Sequence, residues 1–233
     1  MIVDSMTHME AYREICADID NLERWFRHQS AECRRKALKL QRFPIRWWLE
    51  YKSPRHIHYL IGVTVTGRRF EKNHGIIVLV LRRESRGHTV YLSKIQRETT
   101  GLQRTIFLQH VFDQSARRMN IDKSGIELIK HVFSQQGGGH TMFDNRLMGR
   151  SVRYNEDRKN ACMVIKDGIL FGDIVEGSFI VHTFISHEMA TGYQKKRFSE
   201  AQEKLLDWEE EIEHISGGES LLKEAIAMKN NYW

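Results

Sequence analysis

Proline is scarce in this chain, with only Pro44 and Pro54 among 233 residues. Together with a composition that is 41% hydrophobic and 28% charged, that scarcity argues against long disordered stretches and describes an ordinary globular protein. Cysteine is scarce too. Cys16, Cys33 and Cys162 stand far apart with no CxxC spacing, which suggests neither a zinc site nor a disulfide framework and fits a reducing compartment. The longest aliphatic run, Ile76 to Leu81, falls far short of the ~20 residues a membrane helix requires. The N-terminus MIVDSMTHMEAY lacks the basic-then-apolar pattern of a signal peptide. A soluble, cytoplasmic protein with no membrane partner is therefore expected.

Several catalytic signatures are missing as well. There is no HExxH, no Asp-rich loop, no GxSxG, no dinucleotide fingerprint and no kinase motif set, so neither a metal nor an organic cofactor is expected. The run Gly137-Gly138-Gly139 is followed by His140 rather than by Gly-Lys-Ser/Thr. It reads as a surface loop, not as a P-loop. Histidine is plentiful, at 12 residues, but His182 and His187 lie five apart on one expected strand and would face opposite ways.

Apolar periodicity supplies the fold class. From Thr7 to about Gln41 the residues Tyr12, Ile15, Ile19, Leu22, Phe26, Cys33, Ala37 and Leu40 recur at steps of three and four, with one gap at Gln29, which predicts a long helix. A second stripe, Phe198, Ala201, Leu205, Trp208, Ile212 and Ile215, predicts another near the C-terminus. The two stripes pack on each other within one chain, join a homodimer or a helical partner protein, or each cover a sheet. Pro44 and Pro54 bracket an aromatic-rich connector, Ile45 to Tyr51, whose tandem Trp47 and Trp48 suit core packing or base stacking. Strand patterns follow at 57–65, 75–81 and 88–95, and again at 160–165, 169–175 and 179–186. In the last of these, Phe179, Val181, Thr183 and Ile185 alternate with Ile180, His182, Phe184 and Ser186, which sets His182 and Thr183 on opposite faces. The expectation is an α+β protein with antiparallel sheet and a central strand-helix-helix-β-meander unit, flanked by long N- and C-terminal helices. Its segments are 1–103, 104–190 and 191–233.

The centre of that plan is the stretch from Arg104 to Gln136. Thr105 to Leu108 reads as a short strand, after which His110, Gln114 and Arg118 follow at steps of four and share one face of a short helix. Asn120 to Gly125 breaks that helix, and Ile126, Ile129, Val132 and Phe133 mark a second one. An imidazole, a carboxamide and a guanidinium aimed the same way suit phosphate handling, and the formal charge of +6 permits a polyanionic partner.

The nine residues from His110 to Arg118, in this strand-helix-helix context, resemble the phage- and toxin-associated domains of the barnase, EndoU, colicin and RelE-like ribonuclease fold. The pattern of those domains is His-Ala-x-x-Arg-x-x-x-Arg. Here it stands as His110-Val111-Phe112-Asp113-Gln114-Ser115-Ala116-Arg117-Arg118, so His110 and Arg118 match while Gln114 replaces the first arginine. The resemblance covers roughly residues 104 to 187. It implies a metal-independent endoribonuclease of a mobile element, with His110, Arg118, His182 and Thr183 as catalytic residues and Gln114, Arg117 and Arg153 as substrate-binding ones. RNA is the implied partner, and Arg117 or Arg153 would compensate for the missing arginine. A non-catalytic nucleic-acid-binding module and a helix-mediated interaction scaffold remain as alternatives.

Overall fold

The computed structural model describes residues 2–70, 72–85, 87–93, 104–135, 140–142, 159–165, 167–196 and 199–200. Arg153, the glycine run at 137–139 and the C-terminal stripe around Leu205 lie outside them. The chain is a mixed α+β protein in which antiparallel strand pairing dominates. It divides into two compact units: the described residues up to 85 with 90–93, and 87–89 with 104–200.

In the first unit the N-terminal helix is interrupted. Helix α1 (His8–Cys16) begins at a capping box, where the Thr7 hydroxyl accepts from the Glu10 backbone and the Glu10 carboxylate accepts from the Thr7 N–H. Helix α2 (Ile19–Lys39) starts after Ala17 and Asp18, so the single helix expected over this span is two. Apolar spacing does not betray the break, because both intervening residues keep near-helical dihedrals and the stripe runs straight through them. The break has a polar cause. Asp18 is fully buried, accepting from the Tyr59 hydroxyl at 2.8 Å and from Asn21 Nδ2 at 2.6 Å.

The segment expected as a connector is strand β1 (Ile45–Lys52). It pairs antiparallel with β2 (His58–Val65), which pairs antiparallel with β3 (His74–Glu84); β4 (Gly87–Ser93) follows in the sheet order. Alternation within β1 sends its two tryptophans to different faces. Trp47 lies 4.5 Å beneath the Lys36 ammonium of α2, whereas Trp48 sits against Gly62, where an added Cβ would meet its ring. Both make packing contacts within the unit. On the Trp47 side, Trp25 of α2 stacks on Tyr51 at 4.6 Å and Tyr51 on Tyr59 at 5.9 Å. The apolar stripe of α2 (Leu22, Phe26, Cys33, Ala37) is buried, and these ring contacts lay the helix on the sheet.

The second unit orders its strands β5-β9-β8-β7-β6. Strand β5 (Arg104–Phe107) runs parallel to β9 (Ser178–Ser186); β9 is antiparallel to β8 (Gly168–Val175), β8 to β7 (Lys159–Ile165), and β7 to β6 (His140–Met142). Between β5 and β6 come helices α3 (Gln109–Arg118) and α4 (Gly125–Gln135). Asn120 and Gly125, both at positive φ, turn the chain between them. Phe107, Phe112 and Phe133 form a triangle with ring centroids 5.1 to 6.2 Å apart, joining β5, α3 and α4 through buried aromatic surface.

The buried tyrosines of the first unit give a pH dependence. Burial, and then the Asp18 carboxylate, push the Tyr59 phenol well above its ordinary value; burial pushes Tyr91 up to about 12. The folded chain therefore holds protons that an unfolded tyrosine releases above about pH 10. Stability is complete below that pH and falls as pH rises through it, by about 1.4 kcal/mol per pH unit for each tyrosine. Urea unfolding between pH 9 and about 12 should show this decline, and Tyr59→Phe should flatten it. An unchanged slope in the variant would mean that Tyr59 is not the group responsible.

Candidate functional site

The second unit collects most of the residues singled out by sequence around the C-terminal half of β9. Strand β5 is only four residues long and pairs with β9 as far as Phe107 opposite Val181. The chain then gives one more bond, Leu108 N–H to the Val181 carbonyl at 3.3 Å, and turns into α3. Beyond that point β9 continues with no strand along this edge among the described residues, and a side chain of α3 takes the strand's place. The Gln114 carboxamide oxygen accepts from the Thr183 hydroxyl and, at a long 3.5 Å, from the Phe184 backbone N–H.

This arrangement orients the carboxamide. A backbone N–H can only donate, so the oxygen of Gln114 faces β9 and its nitrogen is left for the other side. There the nitrogen donates to His110 Nε2 at 3.0 Å. His110 Nε2 must then be the acceptor, and a neutral His110 carries its proton on Nδ1. His110 itself is exposed, while Gln114 is half-buried.

A β-bulge adds a second imidazole. Phe171 pairs with Thr183, but the next residue of β8, Gly172, pairs with Val181, leaving His182 as an extra residue in β9. The strict alternation expected for this strand is thereby broken. Phe171 and Asp173 are two apart on unbulged β8 and share a face, so Thr183, opposite Phe171, is on that face. His182 reaches the same side, with its Nε2 3.1 Å from Asp173 Oδ2. His182 and Thr183 are thus neighbours on one face, where alternation had separated them. The ionised carboxylate only accepts, so His182 carries a proton on Nε2. Gly172 permits the close approach at the bulge, since a Cβ there would run into the Ile180 carbonyl oxygen.

Arg118 lies one turn beyond Gln114 on the same face of α3 and is half-buried. Its Nη1 is shielded from solvent and has no hydrogen-bond partner among the described residues. Burial, and then the neighbouring charge of Arg117, hold its guanidinium below the ordinary value. Arg117 points elsewhere. It is exposed and lines a groove of about 820 Å³ with Gln109, Asp113, Asn120, Lys123 and Ser124. Gln109 anchors that side, accepting from His88 N–H at 2.7 Å and donating to Asp113 at 2.8 Å.

Sequence reasoning missed Asp173. Its only signal is its place two residues before the turn Val175 to Ser178, and pairing it with His182 depends on a bulge that no local pattern announces. Among the described residues no three His, Cys, Asp or Glu side chains gather as metal ligands would, and no helix is long and apolar enough to cross a membrane.

The role of Gln114 is open to a direct test. Gln114→Arg removes the acceptor for Thr183 and Phe184 and should cost about 1–3 kcal/mol of stability, the penalty for stranding shielded donors. Gln114→Glu keeps an acceptor oxygen and should cost less. Urea denaturation midpoints would show the order; an arginine variant as stable as the parent would refute the acceptor role.

No family model matches this chain, and searches of curated proteins and of solved structures return no match to it.

Proposed function

We propose that the second unit binds RNA and cleaves its phosphodiester bonds without a metal. The observation that carries this reading is the Gln114 bridge, which ties His110 of α3 to Thr183 of β9, next to the bulge residue His182 with its carboxylate partner Asp173. Such cleavage needs a base for the 2′-hydroxyl proton, a donor toward the leaving 5′-oxygen and cationic stabilisation of the charge gathering at phosphorus. His182, with Nε2–H directed at Asp173, keeps its Nδ1 lone pair as the base. His110 is the acid in its imidazolium form, in which Nε2 gives up the Gln114 bond and Nδ1–H protonates the leaving 5′-oxygen. Arg118 supplies the cation, and a phosphate oxygen would satisfy the Nη1 that has no acceptor among the described residues.

A second reading, RNA binding without cleavage, is favoured by one specific observation. At the position where the ribonuclease pattern carries its first arginine, Gln114 uses its carboxamide to close the edge of β9 and brings no charge to a phosphate.

The discriminating experiment incubates the protein with total RNA in EDTA. Cleavage by the parent chain should fall about 10²- to 10⁴-fold in His110→Ala, the usual range for losing a proton-transfer group, with binding nearly intact. Arg118→Ala should weaken binding and lower the slope of log affinity against log salt by about one, as the loss of a phosphate contact does. Binding without cutting by the parent chain would establish the second reading. No binding even at low salt would rule out both and leave an interaction scaffold.

A further inference from the structure

Among the described residues strand β1 is terminal in its sheet. It pairs with β2 along one edge, and among the described residues no strand pairs with the other. An eight-residue edge built from Ile45, Arg46, Trp47, Trp48, Leu49, Glu50, Tyr51 and Lys52 is long and mostly apolar. Such an edge is a template for another strand unless charge or cover prevents it. Its charges, Arg46, Glu50 and Lys52, all lie on the face that carries Trp48. We propose that this edge is a homodimer seam, in which the β1 strands of two copies pair antiparallel about a two-fold axis at Trp48.

The register follows from symmetry and charge. A two-fold axis perpendicular to the sheet keeps each face with its own kind, so facing residues are an even number of positions apart and the axis passes through a residue. Centring on Trp48 sets Arg46 against the partner's Glu50 and Glu50 against the partner's Arg46. On the other face Trp47 meets the partner's Leu49 and Ile45 meets the partner's Tyr51. Every charge between 45 and 51 then faces its opposite and every apolar side chain an apolar one. Neighbouring registers lose this. Centring on Trp47 puts Arg46 against the partner's Trp48; centring on Leu49 puts it against the partner's Lys52; centring on Arg46 or Glu50 sets like charges face to face.

The protomer already holds these groups in place. Arg46 Nε donates to the Thr64 hydroxyl at 2.6 Å, across the β1–β2 ladder, and Glu50 lies 3.6 Å from His58. The Trp47 face is occupied in each copy by α2, through Lys36 and Trp25, so the partner enters along the strand edge and not over the face. Pairing would supply main-chain hydrogen bonds to the outward groups of β1, which is what gives strand addition its affinity.

The test uses the full chain in sedimentation velocity over a concentration series, with circular dichroism as the control for folding. The parent chain should dimerise. Arg46→Glu and Glu50→Arg each put like charges opposite one another at both symmetry-related positions and should weaken self-association by about tenfold or more. Mixing the two variants should restore dimers, because one strand then carries two carboxylates where the facing strand carries two guanidiniums. Rescue by mixing is something a purely structural role for either residue would not produce. A parent chain that stays monomeric, a dimer indifferent to both charge reversals, or a mixture no more associated than its components would each overturn the proposal.

Discussion

A strand that outlasts its neighbour exposes backbone donors with no ladder to join, and a partly buried donor left unmet costs more than an ordinary hydrogen bond returns. The second unit turns on this constraint. β5 stops at Phe107 while β9 runs on to Ser186, and the chain satisfies the difference with a side chain from the helix that β5 leads into. Once Gln114 accepts from Phe184 and Thr183, the remaining geometry is tightly bound to it. The carboxamide can point its nitrogen only at His110, His110 can accept only through Nε2, and α3 is fixed lengthwise against β9. The aromatic triangle of Phe107, Phe112 and Phe133 supplies apolar attraction. It does not by itself choose which residue of α3 meets which residue of β9, a choice made by the directional bonds of Gln114.

The first unit solves a related problem with a buried carboxylate. Asp18 is sealed from water, and such a group is tolerated only with hydrogen-bond donors at hand. Tyr59 and Asn21 provide them. Because Tyr59 lies on the central strand β2 and stacks beneath Tyr51 and Trp25, the polar bond and the aromatic column act on the same seam between helix and sheet. The break between α1 and α2 is the local consequence, since the chain must bring Asp18 inward at the point where a continuous helix would carry on.

Much of the coarse plan was legible in the sequence. The mixed α+β class and the predominance of antiparallel pairing follow from apolar period, which reports which side of an element faces the core. What the sequence concealed was set by contacts between distant residues. Ile45 to Tyr51 carries apolar residues on both faces, so alternation was weak, and only the ladder with His58 to Val65 makes it a strand. The bulge at His182 depends on Gly172 across the sheet, and it brings Thr183 onto the face of His182, where simple alternation separates the two. His110 and Gln114 were readable as one helical face, and the structure joins them. Thr183 enters their network only because β5 is short, a fact about sheet edges and not about α3.

The same logic bears on the substitution at the heart of the resemblance. An arginine at position 114 would offer five donors and no acceptor, and it would face the Thr183 hydroxyl and the Phe184 N–H, the second of which can only donate. Glutamine is the neutral residue of that length that can accept on one side and donate on the other. The edge of β9 and a phosphate-clamping arginine therefore compete for one position, and in this chain the edge has it. The next residue on that face is Arg118, whose Nη1 is out of contact with water and without an acceptor among the described residues. With glutamine at 114, this face of α3 carries one guanidinium and not two.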